Sequence, residues 1–504
     1  MKSYVILPMG GVGQRFLNKG YSIYKPFLQV DAKNTIFENI TKNFKLPDLE
    51  IIIIGKVNFL RGAYNKYFKD VKVHIINISN HKFGPVYSIF LASKKIKEIV
   101  KENNNIFVCY SDINWIWNFK KVKNFIKDKK IVIFTHTGFH PHLHVDSRSD
   151  YCKVRKNSIF NIREKKTFSK DYKNDHLAIG CYYFQNYKLI DKFLKDSVKT
   201  VKQHNEIYLV TLIKFYLKLG QKINFFNINN FVHLGTPEQY EDFLNWREII
   251  KIKFKKSLNL KNLCVMLMAG EGKRVLGLNE KKPFLKIKNY PIYDFSFKKF
   301  GSKIKIIISN NDNLIRINKK KHVIYNIKKS NSMIQTLEKS IIFLKKYKNY
   351  FLTSCDCYGE FKKTLFLKRL KVTKPEIIIF GYKLSNLQKT LNGAHTTLNI
   401  KNNKLKDIFV KKSNMDNNLG HAGFFWIKNS NVFNYLAKFK RSSYFKNLNR
   451  EPIIDDYFKF LLKKNFVKVN YFKIDNYVHI GSTHEYHEFN YWDKYFSNEN
   501  SKNN

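Results

Sequence analysis

The sequence predicts an α/β protein of two tandem domains, each a mostly parallel mixed sheet flanked by helices, and three observations carry that prediction. First, a glycine-rich turn follows a short apolar run twice, about half the chain apart. Residues 4–7 lead into Met9-Gly10-Gly11-Val12-Gly13, and residues 263–267 lead into Met268-Ala269-Gly270-Glu271-Gly272. Second, an apolar run ending in an aspartate recurs, once at Asp112 and once at Asp356. Third, Val232-His233-Leu234-Gly235-Thr236 near the end of one half is matched by Val478-His479-Ile480-Gly481-Ser482 in the other. Ordered matches of this kind read as a duplicated domain.

In chain order, the first half opens with a buried strand at 4–7, because an uninterrupted apolar run bounded by glycine suits a central parallel strand. Further strands are expected at 51–54, 106–112, 131–134 and 158–162, with a helix over 86–100. The second half repeats this with strands at 263–267, 304–308, 350–356 and 377–380 and a helix over 333–347. Trp246 and Trp492 each fall three residues after a phenylalanine, Phe243 and Phe489. The expected boundaries are 1–248 and 262–496 for the domains, 249–261 for a basic linker, and 497–504 for a polar, frayed tail.

Composition narrows the function. The formal charge is +53, but lysine is spread over the whole length and no nucleic-acid-binding motif interrupts it. The charge therefore reads as solvated surface suited to anionic substrates, with no specific nucleic acid as partner. No apolar run is long enough to span a bilayer, so no membrane insertion is expected. Six scattered cysteines without a CxxC pair resemble no disulfide framework, and a cytoplasmic location is expected.

A strand running into a glycine turn presents backbone N–H groups that can surround a polyphosphate. Arg15 and Lys25 in the first half, and Arg274 and Lys282 in the second, add positive charge beside that turn. Together with the strand-terminal aspartates and Gly235-Thr236-Pro237-Glu238-Gln239-Tyr240, this set resembles the sugar-phosphate nucleotidyltransferase family, once per half. The resemblance implies a Rossmann-like, GT-A-like fold. It also implies transfer of a nucleotidyl group from a nucleoside triphosphate to a sugar 1-phosphate, giving a nucleotide sugar and pyrophosphate. Arg15, Lys25, Asp112, Arg274, Lys282 and Asp356 would then be catalytic, and Asp112 and Asp356 would hold Mg²⁺. Met9, Gly10, Gly11, Gly13, Ala269, Gly270 and Gly272 would bind the nucleotide, as would Gly84 in His81-Lys82-Phe83-Gly84-Pro85, which resembles the family's base-contacting loop. Glu164-Lys165 resembles the sugar-binding pair, with Gly180, Glu206 and, in the second half, Gly423 completing the substrate side.

Two departures qualify the resemblance. His233 and His479 stand where many members carry a second metal-binding aspartate; histidine is a poorer partner for Mg²⁺. The second half has Lys411-Lys412 where the Glu-Lys pair is expected, so the first half is read as the catalytic one. The second is then either an enzyme for a different sugar or a binding-only copy. His140, His142 and His144 would share one face of an extended segment, which suits a metal cluster, although a substrate-facing loop is the favoured reading. The pathway implied is nucleotide-sugar supply for a surface polysaccharide or glycoconjugate. Rival readings are transfer to another phosphorylated alcohol such as phosphocholine, and a non-catalytic nucleotide-sugar sensor. The two halves are expected to form an internal pseudo-dimer, or the chain a homodimer.

Overall fold

The computed structural model describes the chain except residues 1, 12, 45–47, 57–70, 101–103, 144–148, 202–205, 252–262, 271–276, 279, 299, 301–303, 311–312, 314–315, 318–320, 329, 385–394, 412–417 and 504, with backbone alone for 197–201 and 500–503. It divides into two compact units, Met1–Leu244 with Lys494–Asn504, and Asn245–Asp493. Residues 249–251, expected to open a linker, continue the helix Pro237–Lys251. The expected frayed tail is also helical, within Thr483–Asn503.

Eleven strands are described in the first unit: β1 (Ser3–Pro8), β2 (Leu49–Gly55), β3 (Lys72–Asn77), β4 (Asn105–Cys109), β5 (Ile113–Ile116), β6 (Ile131–His136), β7 (Tyr151–Arg155), β8 (Ser158–Arg163), β9 (His176–Phe184), β10 (Ile223–Asn227) and β11 (Asn230–His233). The main sheet runs β3-β2-β1-β4-β9-β6-β10-β8-β7. Parallel pairing holds β1 between β2 and β4, and every residue of β1 is buried, as an apolar strand covered on both faces must be. Antiparallel β9 separates β4 from β6, so the sheet is evenly mixed where a mostly parallel one is expected. The helix Pro85–Ile99 buries Val86, Ile89, Ala92 and Ile96 on one face, the three-and-four spacing of a core-facing helix. A two-stranded ribbon, β5 with β11, stands apart from the main sheet. Fully buried Trp115 on β5 packs edge-on against Phe44 and Trp117, which fixes the ribbon to the body.

In the second unit the strands are β12 (Cys264–Met268), β13 (Lys286–Ile287), β14 (Tyr290–Pro291), β15 (Lys305–Ser309), β16 (Val323–Asn326), β17 (Lys348–Ser354), β18 (Cys357–Glu360), β19 (Ile377–Lys383), β20 (Thr397–Lys401), β21 (Lys404–Phe409), β22 (Leu419–Asn429), β23 (Val469–Lys473) and β24 (Asp475–His479). The sheet order β16-β15-β12-β17-β22-β19-β23 reproduces β3-β2-β1-β4-β9-β6-β10, and β18 with β24 forms a ribbon like that of β5 and β11. Both long antiparallel strands, β9 and β22, bend at a glycine with positive φ: 88° at Gly180 and 72° at Gly423. A β-carbon on Gly180 would lie 2.8 Å from the Tyr110 ring, so both conformation and space demand glycine there.

Candidate active site

In the first unit the glycine turn leaves β1 at its C-terminal end, where ligands bind in sheets of this kind. Met9 is buried and its N–H donates to Ile54 O at 2.7 Å. Gly10 is packed so closely that a β-carbon would stand 2.7 Å from Ser88 Oγ and 2.8 Å from His81 Nε2. Gly11 is exposed and Gly13 precedes the short helix Gln14–Leu17. The turn is pinned by a residue that sequence reasoning passes over: Tyr24 Oη donates to Met9 O at 2.6 Å and reaches Gly11 O at 3.0 Å. Arg15 is exposed on the short helix, and its charge disfavours protonation of His233.

Lys25, Asp112 and His233 come together. Lys25 Nζ lies 3.1 Å from Asp112 Oδ2. Asp112 ends the turn before β5, and His233 ends β11, directly opposite Ile113 across the ribbon. Leu234 N donates to Asp112 O at 2.7 Å, closing the same corner. Burial works against the Asp112 charge, but Lys25 and His233 outweigh it and hold the carboxyl below its usual range. Burial pushes the His233 imidazole down, against the pull of Asp112. Gln239 sits beside this histidine, its Oε1 accepting from Gly235 N at 3.1 Å and Thr236 N at 3.2 Å.

A second group gathers the expected sugar-side residues. Glu164 accepts from Thr211 Oγ1 at 3.3 Å and from Lys214 Nζ at 3.1 Å. Lys165, in a left-handed conformation, places Nζ 5.0 Å from the Tyr208 ring, and Tyr208 Oη donates to exposed Glu206. Asp150, which the sequence reading does not single out, accepts from Lys165 N at 3.3 Å; burial pushes its carboxyl up to about 6. Gly84 holds φ 83° where the chain meets Ile207, with Ile207 N donating to Phe83 O at 2.9 Å.

The second unit repeats the first group with a change. Ala269 is buried and Gly270 exposed, while Gly272 and Arg274 lie outside the described residues. Asn310 and Asn313 donate to Ala269 O and Met268 O, at 2.9 and 3.0 Å. Lys282 bonds Asp356 Oδ2, with side chains 8% and 6% exposed against 18% and 24% for Lys25 and Asp112. His479 Nε2 lies 3.5 Å from that same Oδ2, and its Nδ1 lies 2.7 Å from Glu485 Oε1. Glu485 also accepts from Gly481 N at 2.9 Å, the bond that Gln239 makes with Gly235. Although burial opposes it, the two carboxylates push His479 up to about 10, so the ring is a cation at neutral pH.

Two sequence readings need correction. Lys411 shares the left-handed conformation of Lys165, at φ 50° against 52°, and its N–H meets Thr396 Oγ1 as that of Lys165 meets Asp150. Buried Val410, not Lys411, therefore occupies the place of Glu164. His140 and His142 face no substrate. His140 Nε2 donates to Phe231 O at 3.1 Å, while His142 lies between His233 O and Asp242 Oδ2, at 3.1 Å from each. They brace the β11 strand that carries His233; His144 lies outside the described residues. Among the described residues no group of three or more His, Cys, Asp or Glu is arranged to hold a metal ion by itself. None of the described helices is long and apolar enough to cross a membrane.

No protein-family model matches the chain, and no curated protein does. Solved structures similar to it include nucleotide-sugar pyrophosphorylases and other nucleotidyltransferases. A nucleoside-diphosphate-sugar pyrophosphorylase from Vibrio cholerae RC9 is 18% identical over 48% of this chain and 99% of its own, with a TM-score of 0.39. A UTP-bound UGPase from Acinetobacter baumannii is 14% identical over 50% of this chain and 95% of its own, with a TM-score of 0.38. The inositol-1-phosphate CTP transferase from T. maritima is 14% identical over 46% and 96%, with a TM-score of 0.34.

Proposed function

We propose that the first unit transfers a nucleotidyl group from a nucleoside triphosphate to a sugar 1-phosphate, releasing pyrophosphate. The observation that carries this reading is the convergence of Lys25, Asp112 and His233 beside the glycine turn of β1. In such a reaction an oxygen of the sugar phosphate attacks the α-phosphorus in line and pyrophosphate leaves. Positioning and charge neutralisation dominate its barrier. The open space at Gly11 and Gly13 suits the triphosphate. Arg15 supplies a planar fork for phosphate oxygens, and Lys25 a mobile point charge. Glu164 and Lys165 would take a hydroxyl and the sugar phosphate.

Mg²⁺ fits the donor set of the first unit: an ionised carboxylate on Asp112 and an imidazole on His233 held unprotonated, with phosphate oxygens and water making up the rest. Bound there, the ion would neutralise charge developing on the phosphates. The second unit fits it poorly, because His479 is a cation there and shares Asp356 Oδ2 with Lys282. That unit is read as a binding copy. Supply of nucleotide sugar for a cytoplasmic stage of glycoconjugate synthesis completes the reading.

The test is pyrophosphate release with Mg²⁺ over a matrix of nucleoside triphosphates and sugar 1-phosphates, phosphocholine included. Release for one pair, abolished in Asp112→Asn and retained in Asp356→Asn, is the expected result. Silence across the matrix while nucleotide still binds would refute catalysis and favour the sensor.

A further inference from the structure

The two units differ most on the sugar side, and the difference has a pattern. The helices Leu209–Lys218 and Ile454–Lys463 are both 10 residues long and hold the same place in the chain order of their units. Position for position, Val210, Thr211 and Lys214 correspond to Asp455, Asp456 and Lys459. On the neighbouring strand, Ala178 and His421 each stand two residues before the bent glycine. Their N–H groups donate to Asp150 O and Thr396 O, at 2.9 and 2.8 Å. The second unit has thus lost the carboxylate of Glu164 to Val410. At the adjacent place it has gained a histidine and an acid where the first has alanine and valine.

That histidine and acid form a pair. His421 Nδ1 lies 2.9 Å from Asp455 Oδ1, with side chains only 6% and 9% exposed. The His421 ring packs on Phe425 at 4.7 Å. The next residue, Asp456, is fully engaged by Arg450 and by Tyr444. His421 Nε2 differs: it is shielded from solvent and has no hydrogen-bond partner. A buried polar nitrogen left without a partner costs about 1–3 kcal/mol, so its retention calls for a reason.

We propose that His421 is the ligand-reading residue of the second unit. Asp455 fixes the ring with Nδ1–H as donor, leaving the Nε2 lone pair to accept a hydrogen bond from a hydroxyl of a phosphorylated sugar or polyol. This rests on the reading of both units as nucleotide and sugar-phosphate sites, and it gives the second unit a hydroxyl preference of its own. The acceptor stands on the strand instead of at the position of Glu164, so the two units select different hydroxyl patterns. Because Nε2 is shielded, the ligand engages it through a local side-chain shift. The payoff is a hydrogen bond formed away from water, where a mismatched ligand is rejected most strongly.

The experiment uses the full chain labelled with ¹⁵N-histidine. Glucose 1-phosphate, inositol 1-phosphate and ribitol 5-phosphate are titrated in turn, and the His421 signal is assigned by its loss in His421→Leu. At least one probe is expected to move the His421 Nε2 resonance. Calorimetry should show that probe binding at least 10-fold more weakly in His421→Leu, with recovery to within about threefold in His421→Gln, whose amide oxygen restores an acceptor. Probes that bind without moving the resonance, or with equal affinity in His421→Leu, overturn the proposal, as does failure of all three to bind. Should His421→Leu not fold, the resonance and the His421→Gln affinity decide. Turnover does not enter these readouts. A wild-type protein silent for pyrophosphate release yet binding through His421 would refute the catalytic reading alone.

Discussion

Gln239 and Glu485 occupy the same place beside the two ribbon histidines, and exchanging them should exchange the charge state of those rings. Each accepts from the backbone N–H of the glycine two residues past its histidine, at 3.1 and 2.9 Å. Glu485 has a second oxygen 2.7 Å from His479 Nδ1, and that ring is pushed up to about 10; His233, beside an amide, is pushed below its usual value. Both rings already have an aspartate neighbour, and the Glu485 carboxylate is the largest influence raising His479 that His233 lacks. An opposite charge at this range moves a pKa by about 1–3 units, each worth about 1.4 kcal/mol. Gln239→Glu should therefore reverse the direction of the His233 shift, raising the ring above its ordinary 6.5. A protonated ring cannot ligate a metal, so Mg²⁺-supported pyrophosphate release should fall about 10-fold for each pH unit below the new pKa and recover as pH rises through it. The wild type should show the same limb at lower pH, losing activity as pH falls through the low His233 pKa. Imidazole ¹⁵N shifts followed with pH on the full chain measure the ring directly. A His233 pKa still below 6.5 in Gln239→Glu would refute the reasoning.

Gly84→Ala should destabilise the first unit by about 2–4 kcal/mol, combining a conformation reserved for glycine with one disturbed hydrogen bond. Its β-carbon would stand 2.7 Å from Ile207 O and 2.8 Å from Ile207 N, backbone atoms that cannot step aside, and calorimetry should show the melting midpoint fall by roughly 5–15 °C. Asp150→Asn should raise stability at pH 7 by about 1–2 kcal/mol after solvent screening. Burial lifts the Asp150 carboxyl from 3.8 to about 6, so the folded protein favours the protonated acid, and that preference is lost as pH rises from about 4 through 6; denaturant melts at pH 5 and pH 8 should show the larger gain at the higher pH, with part of it already present at pH 5. His142→Ala strips a partner from the His233 carbonyl and leaves the Asp242 carboxylate, 6% exposed, with one contact fewer. A loss of about 2–4 kcal/mol is expected from urea unfolding, with Asp242→Asn milder.

Local signals are the ones the sequence makes legible. The glycine turns, Asp112, Asp356 and the histidines before Gly235 and Gly481 can be read because strand, turn and side chain lie within a few residues of one another. Long-range contacts leave no such trace. The alternate spacing of His140 and His142 suggests an exposed face, yet their partners are carbonyls 91 residues away. Tyr24 looks like any tyrosine in an aromatic-rich chain until its hydroxyl is seen on the turn. The exchange of Gln239 for Glu485 is visible four residues after each glycine, but its meaning depends on the distance to the ring. Lys411-Lys412 resembles a displaced Glu-Lys pair because composition supplies lysine nearly everywhere; only the backbone conformation of Lys411 aligns it with Lys165.

The β5–β11 ribbon sets the spacing of Asp112 and His233 as a ruler does. Asp112 and His233 sit at the joined ends of two strands, so the gap between them is fixed by backbone pairing and hardly by side-chain rotation. Twisting or breathing of the main sheet carries both residues along together. Drift by substitution elsewhere should thus be tolerated, whereas a single residue inserted into either ribbon strand would slip the register and turn His233 to the opposite face. Deletions and insertions, rather than point changes, are the events this geometry is built to resist least.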